Sequence, residues 1–280
     1  MEQEVYVIKG TGEKEIFNPE KLRGSLVRSG AKPSSADSVV THIKGEIQEG
    51  TTTKEIYKHA FYLLHKMEKP VAARYSLRRA LMDLGPTGFP FEDFVGEIFR
   101  ARGFEVETDK TVKGKCIEHE IDVVAWNESQ MIFVEAKFHN DLNMKTDVKT
   151  VLYIKSRFDD LMASSFSIGG RERKLSEGWL ITNTKFTDTA IQYAKCENLK
   201  VVGWNYPQKG NLHDMIEEAG LHPITSLTTL TKSEKSELLN RGVVLCKYLK
   251  ENKDILKSLN FDDQKIAKII SEINLLGPQY

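Results

Sequence analysis

Two apolar, β-rich runs of this 280-residue chain each carry charged side chains of the kind that perform chemistry. Asp122 lies in the run 117–126, and Glu135 and Lys137 lie in the run 131–138. Side chains alternate between the two faces of a strand, so Glu135 and Lys137 point the same way. If the two runs pair as a hairpin, Asp122 meets Glu135 near one edge of the sheet. Charged groups in buried strands are costly unless they are paired or bind a metal.

These groups have the composition of a divalent-metal site. The carboxylates of Asp122 and Glu135, together with the carbonyl oxygen of Ala136, are hard oxygen ligands that suit Mg²⁺ or Mn²⁺. Lys137 would hold a water or a phosphate oxygen beside them. A polarised phosphorus, an activated water and charge compensation are what metal-assisted phosphodiester hydrolysis requires. Taken alone, a Glu-x-Lys pattern is also common on an exposed strand.

The elements around these residues predict an α/β domain. The sequence indicates, in order, a helix, three strands, a helix, a strand, a helix and a strand, over residues 91–102, 104–106, 117–126, 131–138, 147–162, 179–182, 188–196 and 200–204. This succession implies a mixed sheet with helices on both faces. We expect this domain to span residues 89–220.

Asp-(x12)-Glu-x-Lys in this setting resembles the PD-(D/E)xK nuclease superfamily. Residues 89–205 resemble more closely the Mrr-like catalytic domain of type IV restriction endonucleases, which implies a restriction-endonuclease-like fold and an endonuclease acting on DNA. The resemblance makes Asp122, Glu135 and Lys137 the core triad and Glu97 the helix glutamate that assists the metal. A role in defence against foreign DNA is a further implication of the resemblance.

Other residues near the triad carry weaker signals. Where Mrr-like enzymes have Gln-x-x-x-Tyr, this chain has Lys149 and Tyr153, so lysine replaces glutamine. His119 and His139 flank the triad and could contact phosphate. Arg171, Arg173 and Lys174 lie in a segment predicted as a loop, where they could contact a nucleic-acid backbone or only solvent.

Residues 1–88 are predicted to form a small hairpin (5–8 and 15–17) followed by four helices, the last starting at Pro70 and ending near Leu84. The segment 85–88, Gly-Pro-Thr-Gly, predicts a domain boundary. Residues 4–85 resemble the ATP-cone domain, the nucleotide-sensing module at the front of ribonucleotide reductases.

The ATP-cone resemblance implies a regulatory ATP or dATP site. By that resemblance, the phosphate ligands are Lys9 and Lys21, and the nucleoside, base and phosphate contacts are Glu15, Asn18, Thr53 and Tyr57. The sequence departs from the family at Gly10, where an arginine is usual, and this removes a fork-shaped phosphate ligand. Nucleotide would act through an assembly equilibrium, so we expect a homo-oligomer.

Composition bounds the remaining possibilities. The formal net charge is zero, which excludes a histone-like polycation, and residues 89–220 carry 17 basic against 22 acidic side chains. An acidic segment fits a metal-filled carboxylate site better than DNA binding without a metal. Three dispersed cysteines make a disulfide framework improbable. With no apolar run long enough to span a membrane, we expect a cytoplasmic protein with no membrane contact.

Residues 221–280 are predicted to be short helices that pack on one another, or that touch nucleic acid through lysines such as Lys247 and Lys250. Two other functions remain open at this stage. One is a nucleotide-sensing DNA-binding protein without cleavage activity, against which an intact triad argues. The other is a nuclease that acts on RNA or branched DNA, because the motif reads phosphodiesters rather than bases.

Overall fold

The N-terminal part of the computed structural model is a hairpin followed by helices; the structure describes residues 4–85 and 89–276. Strands β1 (Tyr6–Ile8) and β2 (Lys14–Ile16) pair antiparallel. The helices are α1 (Pro19–Arg28), α2 (Pro33–Glu46), α3 (Thr53–Met67), α4 (Lys69–Tyr75) and α5 (Leu77–Met82). Asn18 begins α1 by accepting a hydrogen bond from the Lys21 N–H at 3.0 Å, with Pro19 at the first helical position, as the sequence predicts.

The single helix predicted from Pro70 to near Leu84 is wrong, because the structure has two helices separated at Ser76. Ser76 donates its hydroxyl to the carbonyl oxygen of Ala73 at 2.8 Å, a local bond that competes with regular helix. The first helices pack around their own core, which includes Leu26, Val39 and Leu64. The predicted boundary at 85–88 lies, apart from Gly85, outside the described residues.

The central element is a five-stranded mixed sheet. Helix α6 (Phe89–Ala101) precedes strands β3 (Glu105–Lys113), β4 (Glu118–Trp126) and β5 (Met131–Lys137), which form an antiparallel meander. The later elements are β6 (Lys145–Thr146), α7 (Val148–Met162), β7 (Ser165–Ile168), β8 (Arg171–Lys174), β9 (Glu177–Thr182), β10 (Lys185–Phe186), α8 (Asp188–Cys196), β11 (Lys200–Val202) and α9 (Leu212–Ala219). The strand order is β11-β9-β5-β4-β3, and β5, β9 and β11 are parallel.

Helices cover both faces of this sheet, as the sequence predicts. On one face, α6 and α9 pack against side chains such as Val134 and Ile181. On the other, α7 and α8 pack against Phe133 and Leu180. Leu77, Leu81 and Leu84, from α5 and the residues after it, share the core of the first face.

Two elements of this part differ from the sequence-based expectation. The strand predicted at 104–106 runs from Glu105 to Lys113, because all of its residues except Asp109 pair with β4. The segment 171–174, predicted as a loop, is β8, which pairs with β7 across a turn at Gly169 and Gly170. Both glycines have positive φ, at 58° and 72°, a conformation that favours glycine.

The C-terminal part consists of short helices, as predicted: α10 (Lys232–Asn240), α11 (Cys246–Glu251), α12 (Asp254–Lys257) and α13 (Asp263–Leu276), with a 3-10 turn at Ile224–Ser226. Their core includes Leu249, Leu256 and Ile269. All three cysteines are free thiols. No helix within residues 4–85 and 89–276 is long and apolar enough to cross a bilayer.

Candidate active site

Asp122 and Glu135 face each other where β4 and β5 separate. The register pairs Val123 with Val134, so one further step sets Asp122 opposite Glu135. The backbone N–H of Ala136 donates to Asp122 Oδ2 at 2.6 Å, which fixes this carboxylate at the end of the ladder. The two predicted carboxylates therefore lie side by side on neighbouring strands.

A third carboxylate, that of Asp109, extends this row onto β3. Thr108 pairs with Val123, so the next step along both strands sets Asp109 opposite Asp122. Asp109, Asp122 and Glu135, from three adjacent strands, thus stand in one line across the sheet. We call these three residues the acidic row. Asp109 is not among the site residues predicted from the sequence, because the predicted strand ends at residue 106 and β3 continues to Lys113.

The sheet is irregular at this line. Asp109 has a φ of 53°, in the left-handed region that aspartate adopts more readily than most residues. Strict alternation along β4 would put Ile121 and Val123 on one face, yet Ile121 packs with Val124 on the opposite face from Val123. This break in alternation reorients the side chain of Asp122 relative to a regular strand.

Glu92, in the first turn of α6, adds a fourth carboxyl group. Burial, then the negative charge of Asp122 and the adjacent carboxylate of Asp109, raise the pKa of Glu92 to about 8. Its neighbour Asp93 also has a raised pKa, through burial and the charge of Asp109. Glu92 directly follows the buried Phe91, whereas the residue of this helix predicted to assist the metal was Glu97.

The row carries an excess of negative charge in a partly buried place. Burial and the charge of Asp122 raise the pKa of Glu135 to about 7, and burial raises the pKa of Asp122. Carboxyl groups that resist ionisation together are stabilised by a cation among them. Oxygen donors of this kind suit Mg²⁺ or Mn²⁺, although within the described residues no three of these carboxylates have ligand atoms that all lie within 4.8 Å of one another.

Lys137 stands two residues beyond Glu135 on β5, and its positive charge lowers the pKa of that carboxyl. Its side chain is exposed, and within the described residues its ammonium makes neither a hydrogen bond nor an ion pair. A cation without a protein partner beside an acidic row is available to a water or a phosphate oxygen.

Arg157 of α7 is the basic residue in direct contact with the row. Its Nη1 lies 2.5 Å from Glu135 Oε2, and its Nη2 donates to the carbonyl oxygen of Glu120. The guanidinium also lies 5.8 Å from the ring centre of Tyr153, one helical turn earlier. Lys149, one turn earlier again, is exposed, and Tyr153 is 63% exposed. Lys149, Tyr153 and Arg157 thus lie on one side of α7. Arg157 is the member of this stripe that contacts the acidic row.

Glu97 lies apart from this row. Its carboxylate is 7% exposed and forms ion pairs with Arg100 at 2.6 Å and with Lys247 of α11 at 2.5 Å. A separation of five residues from Glu92 puts it on another side of α6. These ion pairs join α6 to the C-terminal helices, and the structure does not bring Glu97 into the acidic row.

The two histidines differ in position. His119 is buried, with its Nε2 2.9 Å from Asp160 Oδ2, and belongs to a clasp between β4 and α7. His139 follows Lys137, and its Nε2 lies 2.9 Å from Thr146 Oγ1. Burial and the charge of Lys137 lower the pKa of His139, so at neutral pH it is uncharged.

Among the basic residues of β8, Arg173 serves the fold. It donates to the carbonyl oxygens of Ile168 at 3.1 Å and Asn127 at 2.6 Å, which ties the β7–β8 hairpin to the β4–β5 turn. Arg171 and Lys174 are exposed.

Four of the six residues expected to bind nucleotide lie together in the N-terminal part. Glu15 pairs with Lys9 at 3.0 Å and with Lys21 at 3.3 Å, and the bond from Lys9 is the largest cause that lowers the pKa of Glu15. Asn18 caps the helix that carries Lys21. The structure thus gathers two ammonium groups around one carboxylate.

The other two residues lie on α3. Thr53 is the first residue of that helix, and the Ile8–Thr52 bridge places its start beside the hairpin. Tyr57 instead stacks on Tyr75, with ring centres 5.2 Å apart, and lines a cavity of about 400 Å³ between α3, α5 and the C-terminal part. None of the hairpin residues lines that cavity.

Two known families match different parts of the chain. Residues 86–207 match the restriction endonuclease family Mrr_cat, and residues 222–276 match the family described as AF1548-like, C-terminal. The N-terminal region matches no family. An uncharacterized protein of Archaeoglobus fulgidus is 33% identical over 179 residues, which are 64% of this chain and 97% of that protein. The chain belongs to the AF1548-like family.

A solved structure extends this comparison. The crystal structure of a protein of unknown function, AF1548, is 32% identical, covers 67% of this chain and 97% of its own, and superposes with a TM-score of 0.52. The match of residues 86–207 to Mrr_cat shows that this chain has a domain of restriction endonuclease type, in agreement with the mixed sheet that the sequence predicted. The match suggests a nuclease.

Proposed function

We propose that this AF1548-like protein is a divalent-metal-dependent endonuclease that hydrolyses phosphodiester bonds of DNA. The observation that carries the proposal is the row of Asp109, Asp122 and Glu135, with Lys137 unpaired beside it, in a domain of restriction endonuclease type. Within residues 4–85 and 89–276, the one ion pair that this row makes is the pair between Arg157 and Glu135.

The roles follow from chemistry and position. Asp122, Glu135 and the carbonyl oxygen of Ala136 would hold Mg²⁺ or Mn²⁺, and Glu92 and Asp109 would bind it directly or through water. Such an ion, when bound, polarises the phosphate and compensates the charge of the leaving group. Lys137 orients the attacking water and stabilises the negative charge that develops on the phosphate oxygens. The Glu92 carboxyl, with a pKa of about 8, can hold a proton near neutrality.

The DNA backbone would reach the row along α7. Lys149 and Tyr153 project from the exposed side of that helix, and Lys145 is exposed just before it. Contacts of this kind position a strand without reading its sequence. The net negative charge of residues 89–220 means that backbone binding depends on the bound metal as well as on these side chains.

Regulation by ATP or dATP is the second part of the proposal. Lys9 and Lys21, which form ion pairs with Glu15, would instead bind a triphosphate. The phosphates would lie beside the N-terminus of α3, where backbone N–H groups favour anions. The hairpin also contacts the segment that follows Lys137. A Cβ at Gly10 would lie 2.5 Å from Asn143 Nδ2, and Arg78 donates to the carbonyl oxygen of Leu142 at 2.8 Å. Nucleotide bound at the hairpin would thus act on the loop next to the catalytic lysine, alone or through an assembly of several copies.

The close approach at Gly10 also accounts for the departure from the ATP-cone pattern. Any side chain at position 10, an arginine included, would require the exposed side chain of Asn143 to shift from its bond with Asp141 at 3.0 Å. The residue that ATP cones use as a phosphate ligand is replaced here by one that permits contact with the nuclease domain.

Cleavage of supercoiled plasmid with Mg²⁺ or Mn²⁺ tests the nuclease. Nicked or linear product should form with the intact chain and not with Asp122→Asn or Lys137→Ala, while Glu118→Gln, an exposed acid on the same strand, should cut normally. Equal cutting by all three variants would assign the activity to another site or to a contaminant. A panel of duplex, single-stranded, branched and methylated DNA and of RNA defines the substrate. Metal-independent binding with no product would favour a DNA-binding protein instead.

Calorimetric titration with ATP and dATP tests the regulatory site. Lys9→Ala and Lys21→Ala should each abolish binding, and Lys14→Ala, on the same hairpin, should not. Light scattering and plasmid cleavage, each with and without nucleotide, test the coupling. If nucleotide changes neither the size of the assembly nor the cleavage rate, the regulatory part of the proposal is wrong and the nuclease part stands.

A further inference from the structure

Three metal-binding side chains converge on the surface of the N-terminal helices. His42 and Glu46 lie one turn apart at the end of α2, and His59 lies on α3. Glu46 Oε1 is 3.1 Å from His42 Nε2, and Glu46 Oε2 is 3.4 Å from His59 Nδ1. One carboxylate is therefore shared between two imidazoles from two helices.

The spacing matches a tetrahedral metal site. Ligand atoms about 2.0–2.1 Å from a Zn²⁺ ion, at the tetrahedral angle, are about 3.3–3.4 Å from each other. The two His–Glu separations already have this value to within a few tenths of an ångström, and each of the three residues has a ligand atom within 4.8 Å of the others. The two imidazole rings are edge to face, with centres 5.2 Å apart.

The ligand types and their place select the ion. Two imidazole nitrogens and one carboxylate favour Zn²⁺ over Mg²⁺, which prefers oxygen ligands. His42 and Glu46 occupy the last turn of α2, where the unpaired carbonyl groups of the helix make a cation more favourable. All three side chains are at least partly exposed, so an ion can reach them from solvent.

We propose that His42, Glu46 and His59 bind one Zn²⁺ ion, with the fourth position open to water. The ion joins the end of α2 to the second turn of α3 and stabilises the N-terminal helices. This site is separate from the acidic row of the nuclease in both position and ligand type, and it does not depend on the proposed function.

The test is a competition titration of Zn²⁺ against a chromophoric chelator, with the full chain and excess Mg²⁺ to occupy the oxygen site. One equivalent of tightly bound Zn²⁺ is expected. His42→Ala and His59→Ala should each lower its affinity by more than the about 10–100-fold that loss of an outer-shell contact costs. His65→Ala is the matched control, because His65 lies on α3 but contacts Thr228 at 3.4 Å.

Two further measurements make the outcome decisive. Electron paramagnetic resonance of bound Cu²⁺ should show two imidazole nitrogens, and one in either histidine variant. Glu46→Gln keeps the size of the side chain and should weaken Zn²⁺ binding even if an alanine variant folds poorly. Zn²⁺ affinity unchanged in His42→Ala and His59→Ala, or lost in Asp122→Asn instead, would overturn the proposal.

Discussion

Arg157 Nη1 is 2.5 Å from Glu135 Oε2, and the same guanidinium donates to the carbonyl oxygen of Glu120. These contacts join α7 to both strands of the site and orient one carboxylate of the acidic row. The positive charge also lowers the pKa of Glu135, which burial and Asp122 raise to about 7. Arg157 is thus a positioning residue for the proposed metal site.

Removal of that charge should change the pH dependence of cleavage. In Arg157→Gln, Glu135 loses a group that favours its ionised form, so its pKa rises and metal binding requires a higher pH. The acidic limb of the pH–rate profile should move to higher pH, and cleavage near pH 9 should recover part of the lost activity. A uniform loss at all pH values would show that Arg157 acts only on the fold or on DNA binding.

The two glutamates of α6 should respond differently to the same substitution. Glu92→Gln should raise the Mg²⁺ concentration needed for half-maximal cleavage by about 10-fold or more and should not lower the free energy of unfolding. Glu97→Gln should leave the Mg²⁺ requirement unchanged and lower the free energy of unfolding by about 1.5–3 kcal/mol, because it loses charged hydrogen bonds to Arg100 and Lys247. Metal titration and urea unfolding measure the two effects. The reverse result would restore Glu97 as the metal-assisting residue.

Without divalent metal, stability should fall as the pH rises from about 6.5 to 8. Glu92 and Glu135 have pKa values of about 8 and 7 in the folded chain, above the ordinary value of 4.5, so the folded state holds more protons than the unfolded state in this range. Below pH 6.5 the buried His222, whose pKa is lowered to about 4, acts in the opposite direction.

Mg²⁺ binds the ionised carboxylates, so its effect on the melting temperature should be larger at pH 8.5 than at pH 6. Scanning calorimetry at both values, with and without Mg²⁺, measures this difference. The variant carrying Glu92→Gln and Glu135→Gln should lose most of both the pH dependence and the Mg²⁺ effect. A Mg²⁺ effect that is equal at the two pH values would contradict the assignment.

Coupling between the hairpin and the nuclease should depend on Gly10. Gly10→Val must displace Asn143, so nucleotide should still bind at Lys9 and Lys21 while its effect on cleavage diminishes. Basal cleavage without nucleotide should remain, because neither residue belongs to the acidic row. Thr11→Ala, at an exposed residue of the same turn, is the control for a change in the hairpin itself. A full nucleotide response in Gly10→Val would exclude this contact as the route.

The part of the site that depends on short-range pattern could be predicted. Alternation places Glu135 and Lys137 on one side of a strand, and the turn after Trp126 brings Asp122 opposite Glu135. Asp109 could not be found in this way, because its position depends on the pairing register of β3, a strand whose alternation is weak. The break in alternation between Ile121 and Val123 lies opposite the left-handed backbone at Asp109, so it too depends on the pairing of two strands.

The choice between Glu92 and Glu97 illustrates a second limit. Both are acidic residues of the same amphipathic helix, and their surroundings are set by elements distant in sequence: Asp122 for Glu92, and Lys247 for Glu97. The β7–β8 hairpin was missed for a related reason, since Arg171–Lys174 has no apolar alternation. Its strand conformation is stabilised by pairing and by Arg173, not by intrinsic propensity.

The position of Leu77, Leu81 and Leu84 decides how the domain of restriction endonuclease type can be produced without the N-terminal helices. All three are almost fully buried against the sheet, next to Phe91 and Phe94. Burial of one leucine contributes about 1.5–3 kcal/mol, and whole domains are stable by only about 5–15 kcal/mol. A recombinant fragment starting at residue 89 should therefore aggregate or unfold. A fragment starting before Leu77 keeps the three leucines that complete the core on this face of the sheet, and it should fold.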